Sequence, residues 1–320
     1  MISVLIATRN RGAELEAQLR SLESIQAPDG GWELLVIDNG SSDSTPRLLR
    51  RVAEQGRLPL RPLTEPRRGK SRALNQGVLA ARGTLLAFTD DDAMVRPQWL
   101  RAFQRAAGVH PEALGFAGRA PALGGPTPVG HGIVNYEHGD RDFEIRPFET
   151  PPLGVNFAFR RQAFERYGLF REDLGPGSSV QRAEDTEFVR RLWLGGERLW
   201  YVAEAVVQNP VHHERLSRRF SIRWMFWVGR SNARMTGRPA GVRTLAGVPR
   251  YVYGSILRGT GHVAVSTVRG LDFAAVRRLA YDLGLAYEFR LLPRNFDPGA
   301  LVPTLRRACN PDGPIAGAHP

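Results

Sequence analysis

Three adjacent carboxylates, Asp90, Asp91 and Asp92, close the run Leu85-Leu86-Ala87-Phe88-Thr89. The apolar run reads as a buried strand, and three neighbouring anions cannot share that burial, so they stand at the strand's mouth. Oxygen ligands at that density suit a hard divalent cation, Mg²⁺ or Mn²⁺, carrying substrate phosphates on its open side. The plainer alternative is a solvated acidic turn ahead of a helix starting near Pro97, where Asp serves as a turn and capping residue. A second acidic pair, Glu184-Asp185, precedes Phe188, Val189, Leu192 and Trp193 at helical spacing. It is either an acidic first turn favoured by the helix dipole or a general base with a partner.

The elements that must position these groups alternate. Ser3-Val4-Leu5-Ile6-Ala7 is an apolar strand, and Leu15, Leu19, Leu22 and Ile25 mark a helix after it. Glu33 to Asp38 repeats the strand, and Leu48, Leu49 and Val52 the helix. Leu58 to Thr64 is a third strand, and a helix carrying Ala73, Leu74, Val78 and Leu79 leads into the strand that ends at Asp90. Such alternation predicts an α/β fold with a mostly parallel sheet covered by helices on both faces, whose ligands gather at the carboxyl ends of the strands. Thr8, Asp38 and Asp90–Asp92 all stand there. Gly115 to Pro152, rich in Gly and Pro, reads as a long surface excursion, with His131, His138, Asp140 and Asp142 as solvated loop residues.

With 42% hydrophobic and 24% charged residues, the chain of 320 residues is a folded protein. One cysteine, Cys309, rules out an internal disulfide and fits a reducing cytosol. The net charge of +12 is unevenly spread. Residues 209–320 hold 17 basic and 6 acidic residues, against 27 and 26 before them. Of the 44 basic residues only Lys70 is lysine. In the basic last third, Phe220, Trp224, Trp227 and Val228 interleave with Arg218, Arg219, Arg223 and Arg230 at helical spacing. That pattern fits either an interfacial segment on anionic lipid or a helical annex with an Arg-rich solvent face. Arg258 and His262 interrupt the apolar stretch Ile256 to Val268, so no spanning helix is expected. The residues after Pro311 read as a disordered tail.

Four segments in order, Val4 to Asn10, Leu35 to Asp43, Gly69 to Asn75 and Thr89 to Asp92, resemble the nucleotide-binding half of a family 2 glycosyltransferase of GT-A fold. The resemblance runs from Met1 to about Leu216. It implies a catalytic domain over 1–215, with a nucleotide-binding half over about 1–110 and an acceptor half over 111–215, then a basic helical region over 216–310 and the tail 311–320. It places Thr8, Arg9 and Asp38 on the nucleotide, Lys70 and Asn75 in its pocket, and Asp90 and Asp92 in the Asp-x-Asp motif, with Asp92 as metal ligand. Asp91 is left for the ribose or a metal-bound water. Gly154-Val155-Asn156 resembles the segment under the donor sugar. Asp185 falls at the general base and Glu184 at a position that orients the acceptor.

The family's usual metal histidine is replaced by Asn209, with His212 and His213 just beyond, so either His212 has taken over or the site uses fewer protein ligands. The reaction implied is a metal-dependent, inverting transfer from a nucleotide sugar, UDP by default, to a lipid-linked or polysaccharide acceptor. It would proceed in the cytoplasm, at the inner face of the membrane. A sugar-nucleotide nucleotidyltransferase would show a Gly-rich phosphate loop after the first strand, which Thr8 to Gly12 lacks. A nucleic-acid-binding protein using residues 209–310 would leave the carboxylates unexplained, so no nucleic acid is expected.

Overall fold

The computed structural model describes residues 1–123, 136–149, 154–270 and 272–304. His131, Cys309 and the tail after Pro311 lie outside the described residues.

The first half runs β1 (Ile2–Thr8), α1 (Gly12–Leu22), β2 (Trp32–Asp38), α2 (Thr45–Gln55), β3 (Leu60–Thr64), α3 (Lys70–Ala80) and β4 (Leu85–Thr89). The four strands pair in parallel in the order β3-β2-β1-β4, with Thr8 opposite Asp38 and Asp38 opposite Thr64. Val4, Leu5 and Ile6 in β1 and Leu86, Ala87 and Phe88 in β4 are all but inaccessible, because helices cover both faces of the sheet.

The second half adds β5 (Met94–Val95), α4 (Trp99–Val109), β6 (Gly115–Arg119), β7 (Ala122–Leu123), β8 (Phe143–Glu144), β9 (Asn156–Arg160), α5 (Arg161–Tyr167), α6 (Glu184–Leu194) and β10 (Leu199–Pro210). Antiparallel β9 joins β4 to β6, and β10 runs parallel to β6. The sheet is therefore mostly parallel with an antiparallel insertion. One expectation fails here: Gly115–Arg119, assigned above to a surface excursion, is a buried strand inside the sheet. Its five residues include two glycines and hold too little alternation to signal a strand, yet Phe116 and Ala117 are packed between β9 and β10.

An aromatic cluster ties these elements together behind the carboxylates. Phe88 stacks on Phe157 at 5.0 Å between centroids and meets Phe170 edge-on at 5.6 Å. Phe188, one turn into α6, stacks on Phe164 at 4.5 Å and contacts Phe170. At about 0.5–1.5 kcal/mol per ring pair beyond simple burial, the cluster fixes β4 against α6. It thereby fixes Asp90 against Glu184.

After a 3₁₀ turn (His213–Leu216) come α7 (Arg218–Thr236), a short hairpin of β11 (Thr244–Leu245) and β12 (Val248–Pro249), α8 (Arg250–Arg269) and α9 (Phe273–Leu291). These helices have their own apolar cluster around Ala233, Val252, Leu285 and Phe289. The axes of α7 and α9 pass closely because Gly229 lies against the Tyr281 carbonyl and Gly284 against that of Phe226, where a Cβ would come within about 2 Å of either oxygen. Buried Glu288 of α9 receives both Arg230 and Arg234 of α7. No helix among the described residues is long and apolar enough to cross a membrane.

Candidate active site

The carboxyl ends of β1 and β4 open into a cavity of about 310 Å³ lined by Thr8, Arg9, Arg11, Asn39, Arg68, Lys70, Asp90, Asp91, Asp92, Pro176, Gly177 and Arg215. Each of the three aspartates is engaged differently, because each leaves the end of β4 in a different direction. Asp91 turns inward, accepting a hydrogen bond from Thr8 Oγ1 at 2.8 Å and facing Arg11 Nε at 3.3 Å. Burial, with repulsion from Asp90 and Asp92, pushes its carboxyl up to about 7 despite Arg11 and Thr8. Asp92 accepts from Arg11 Nη2 at 2.5 Å and has His212 Nε2 at 3.1 Å on the same oxygen. Burial works against its ionisation, but Arg11 and His212 outweigh it and hold the carboxyl below the usual range. Asp90 accepts from Lys70 Nζ at 2.6 Å.

Lys70 joins this cluster to the second one. Its ammonium lies 3.6 Å from Glu184 Oε1 as well, and the surrounding anions raise its pKa although burial acts the other way. It stands at the first turn of α3, where its backbone N–H donates to the Pro176 carbonyl. Glu184, only 6% exposed, is pushed up to about 7 by burial and by Asp185, against the pull of Lys70. It faces Lys70, at the start of α6, just after Ala183, which adopts a left-handed backbone at φ 72°. Asp185 packs against Gly154, where a Cβ would fall 2.3 Å from its Oδ2. Gly154 is thus the residue that leaves room for the Asp185 carboxylate.

Several expected contacts take another form. Asn75 donates to the Phe170 carbonyl and accepts from the Phe170 N–H, so it clamps the loop before the site and is absent from the cavity wall. Asn156 is 1% exposed, donates to the Arg119 and Ala205 carbonyls and accepts from Trp99 Nε1. Its side chain holds β6, β10 and α4 together. Asp38 is buried at the end of β2 and accepts from the Ser41 N–H. The wall beside it comes from Asn39, whose amide bonds to Glu65, Arg67 and Gly69. Asn209 is buried in β10, and His212 reaches Asp92.

Arg11, Asn39, Arg68 and Arg215 were missed from the sequence. Arg11 and Asn39 follow strand ends and were legible as turn residues, whereas nothing singles out Arg215 in an Arg-rich stretch.

The donor set fits a divalent cation held by few protein atoms. Among the described residues no group of three or more His, Cys, Asp or Glu forms a metal cage. Asp92 and His212 offer an oxygen and an imidazole nitrogen side by side, which suits Mn²⁺ or Mg²⁺ completed by diphosphate oxygens. The surrounding Arg11, Arg68, Lys70 and Arg215 give the cavity wall a cationic side that suits an anionic ligand.

The profile described as Glycosyl transferase family 2 matches residues 3–168, more than half of the chain. The chain belongs to that family. A Beta-monoglucosyldiacylglycerol synthase of Trichormus variabilis is 37% identical over 101 residues, 31% of this chain but only 22% of the relative. The putative glycosyltransferase EpsH of Bacillus subtilis is 28% identical over 220 residues, 67% of this chain and 60% of its own length. The chain thus spans less than two thirds of these relatives' lengths. Among solved structures, S. aureus TarS 1-349 in complex with UDP-GlcNAc superposes with a TM-score of 0.58 at 16% identity, over 83% of this chain and 72% of that one. The mannosyltransferase PcManGT from Pyrobaculum calidifontis, in complex with GDP-Man and Mn²⁺, gives 0.57 at 20% identity, over 91% and 86%. At these identities the likeness is one of fold, the GT-A architecture. This member of the family therefore has a mostly parallel α/β core followed by a helical region.

Proposed function

We propose that this glycosyltransferase moves a sugar from a nucleotide sugar, a UDP-sugar first among candidates, to a hydroxyl of a lipid-linked or polysaccharide acceptor with inversion at the anomeric carbon. The observation that carries the reading is Lys70 bridging Asp90 and Glu184, which links the second carboxylate cluster to the cavity wall. The nucleotide sugars in the TarS and PcManGT structures and the Beta-monoglucosyldiacylglycerol synthase relative support the donor and acceptor classes.

In this reading Thr8, Arg9 and Asp38 shape the nucleotide end of the cavity, with Asn39 supplying the wall in front of Asp38. Arg11, Arg68 and Arg215 receive the diphosphate. Asp92 and His212 would hold the cation, which when bound offsets the charge gathering on the departing diphosphate. Asp185 takes the proton from the acceptor hydroxyl as that oxygen attacks. Glu184, held by Lys70, keeps the start of α6 and hence Asp185 in place. Gly154 leaves the space that the Asp185 carboxylate needs. One base and, among the described residues, no second carboxylate placed as a nucleophile favour a single displacement, hence inversion. The helical region 218–291 is read as the acceptor side, peripheral at the cytoplasmic face of a membrane.

The test is calorimetric titration of UDP, dTDP and GDP with Mn²⁺ or with chelator, on the wild type and Asp92→Ala. Metal-dependent binding of one nucleotide, weakened about a hundredfold or more in the variant, is the expected result. Binding of no nucleotide under either condition would overturn the reading.

A further inference from the structure

Beyond the donor cavity, α7 crosses the loop that leads into Glu184. Gln181 and Arg182 of that loop and Phe220, Arg223, Trp224 and Trp227 of α7 line a groove of about 390 Å³. The cations here differ from the pair in the second half of α7. Arg230 and Arg234 share Glu288, and Arg234 also lies 3.8 Å from Asp173. Arg182 has its guanidinium over the Trp224 ring, and among the described residues neither it nor Arg223 has a carboxylate within ion-pair distance. Arg182 is moreover depressed to about 10 by burial and by Arg215, with Glu184 and Asp185 pulling the other way. The groove and the proposed base therefore share one electrostatic neighbourhood.

Two guanidiniums without carboxylate partners among the described residues, beside two indoles, are a receptor for an oxyanion attached to an apolar body. A neutral saccharide would call for side chains that accept from its hydroxyls, and Gln181 alone among the six lining residues offers an amide oxygen. The apolar surface also continues outward. Trp227 abuts Phe226, Phe226 packs on Tyr287, and Leu283, Tyr287 and Leu291 form an exposed stripe at i, i+4 and i+8 on α9.

We propose that this groove binds the phosphate of a lipid acceptor, with Arg182 and Arg223 on the phosphate oxygens and Trp224 and Trp227 against the adjoining part of the lipid. The proposal rests on the glycosyl-transfer reading above and adds the chemical class of the acceptor. The lipid chain leaves along the Leu283–Leu291 stripe, and the acceptor hydroxyl is delivered toward Asp185.

The experiment uses the full chain and calorimetry with farnesyl phosphate, farnesol and inorganic phosphate, each below any micelle concentration. Farnesyl phosphate is expected to bind at least about tenfold more tightly than farnesol or inorganic phosphate, since it alone satisfies both halves of the groove. Arg223→Ala, an exposed position that does not threaten the fold, weakens farnesyl phosphate about tenfold and leaves farnesol unchanged. Arg223→Lys restores part of the loss, because the charge returns without the planar fork. Equal binding of farnesol and farnesyl phosphate, equal binding of inorganic phosphate alone, or an Arg223→Ala variant indistinguishable from wild type would each overturn the proposal. Nucleotide titration of the same wild-type preparation separates the two claims. Nucleotide binding without farnesyl phosphate binding sinks the groove alone, and the reverse sinks glycosyl transfer.

Discussion

The Asp90–Asp92 cluster and the Glu184-Asp185 pair are both acidic, both at the ends of elements, and built in opposite ways. At the end of β4 each aspartate has its own partners: Lys70 for Asp90, Thr8 and Arg11 for Asp91, Arg11 and His212 for Asp92. At the start of α6 one lysine stands 3.6 Å from Glu184, and Asp185 packs against Gly154 while accepting from the N–H and hydroxyl of the adjacent Thr186. The first arrangement holds each charge in place, which suits the proposed binding of a cation and a diphosphate. The second holds Asp185 by fewer contacts, which suits the proposed role as proton acceptor. Lys70 makes the two clusters one site.

Removing that lysine breaks the comparison at both clusters at once. Lys70→Met leaves Asp90, Glu184 and Asp185 facing each other without a counter-charge, and turnover is expected to fall about a hundredfold. The fold loses about 2 kcal/mol, less than the 3–5 kcal/mol of a fully buried pair because the lysine is partly exposed. Denaturation midpoints and nucleotide release measure the two effects; an unchanged midpoint with unchanged turnover would remove Lys70 from its linking role. Asn156→Ala tests the frame behind both clusters. It orphans Trp99 Nε1 and the carbonyls of Arg119 and Ala205, costing about 3 kcal/mol in stability. If Asn156 contacts the sugar instead, the variant loses donor affinity and keeps its stability.

A smaller effect sharpens the contrast through pH. Glu184 keeps its proton in the folded chain up to about 7, whereas the unfolded chain releases it near the ordinary 4.5. Its contribution is therefore present at low pH and lost as pH rises through that window. In Glu184→Gln, the dependence of the nucleotide-free denaturation midpoint on pH between 5 and 8 should flatten, Asp91 retaining its own share. An identical slope in both proteins would mean that Glu184 is ionised throughout.

Much of this site was legible because strands end where their apolar runs end. Thr8, Asp38 and Asp90 stand at strand mouths, and parallel pairing brings such mouths together. The tasks of Asn75 and Asn156 were not legible. A buried amide that binds backbone and one that faces a ligand look alike in sequence, and only the partners, Phe170, Trp99, Arg119 and Ala205, decide. Strand β6 escaped notice because its burial comes from neighbours distant in the chain, β9 and β10, and not from its own pattern. His212 was one of two readings, and its contact with Asp92 across 120 positions is set by where β10 ends.

The central claim, that the Asp92 cluster binds the donor while Asp185 performs the chemistry, is tested most directly on Asp185→Asn. Two quantities are measured on one preparation: the nucleotide dissociation constant, and the release of nucleoside diphosphate from the nucleotide sugar that calorimetry identifies, with a membrane extract supplying acceptor. The account predicts a dissociation constant within about twofold of wild type and turnover lower by about a thousandfold, the range of a lost general base. Retained turnover, or turnover and nucleotide affinity falling together, would contradict it.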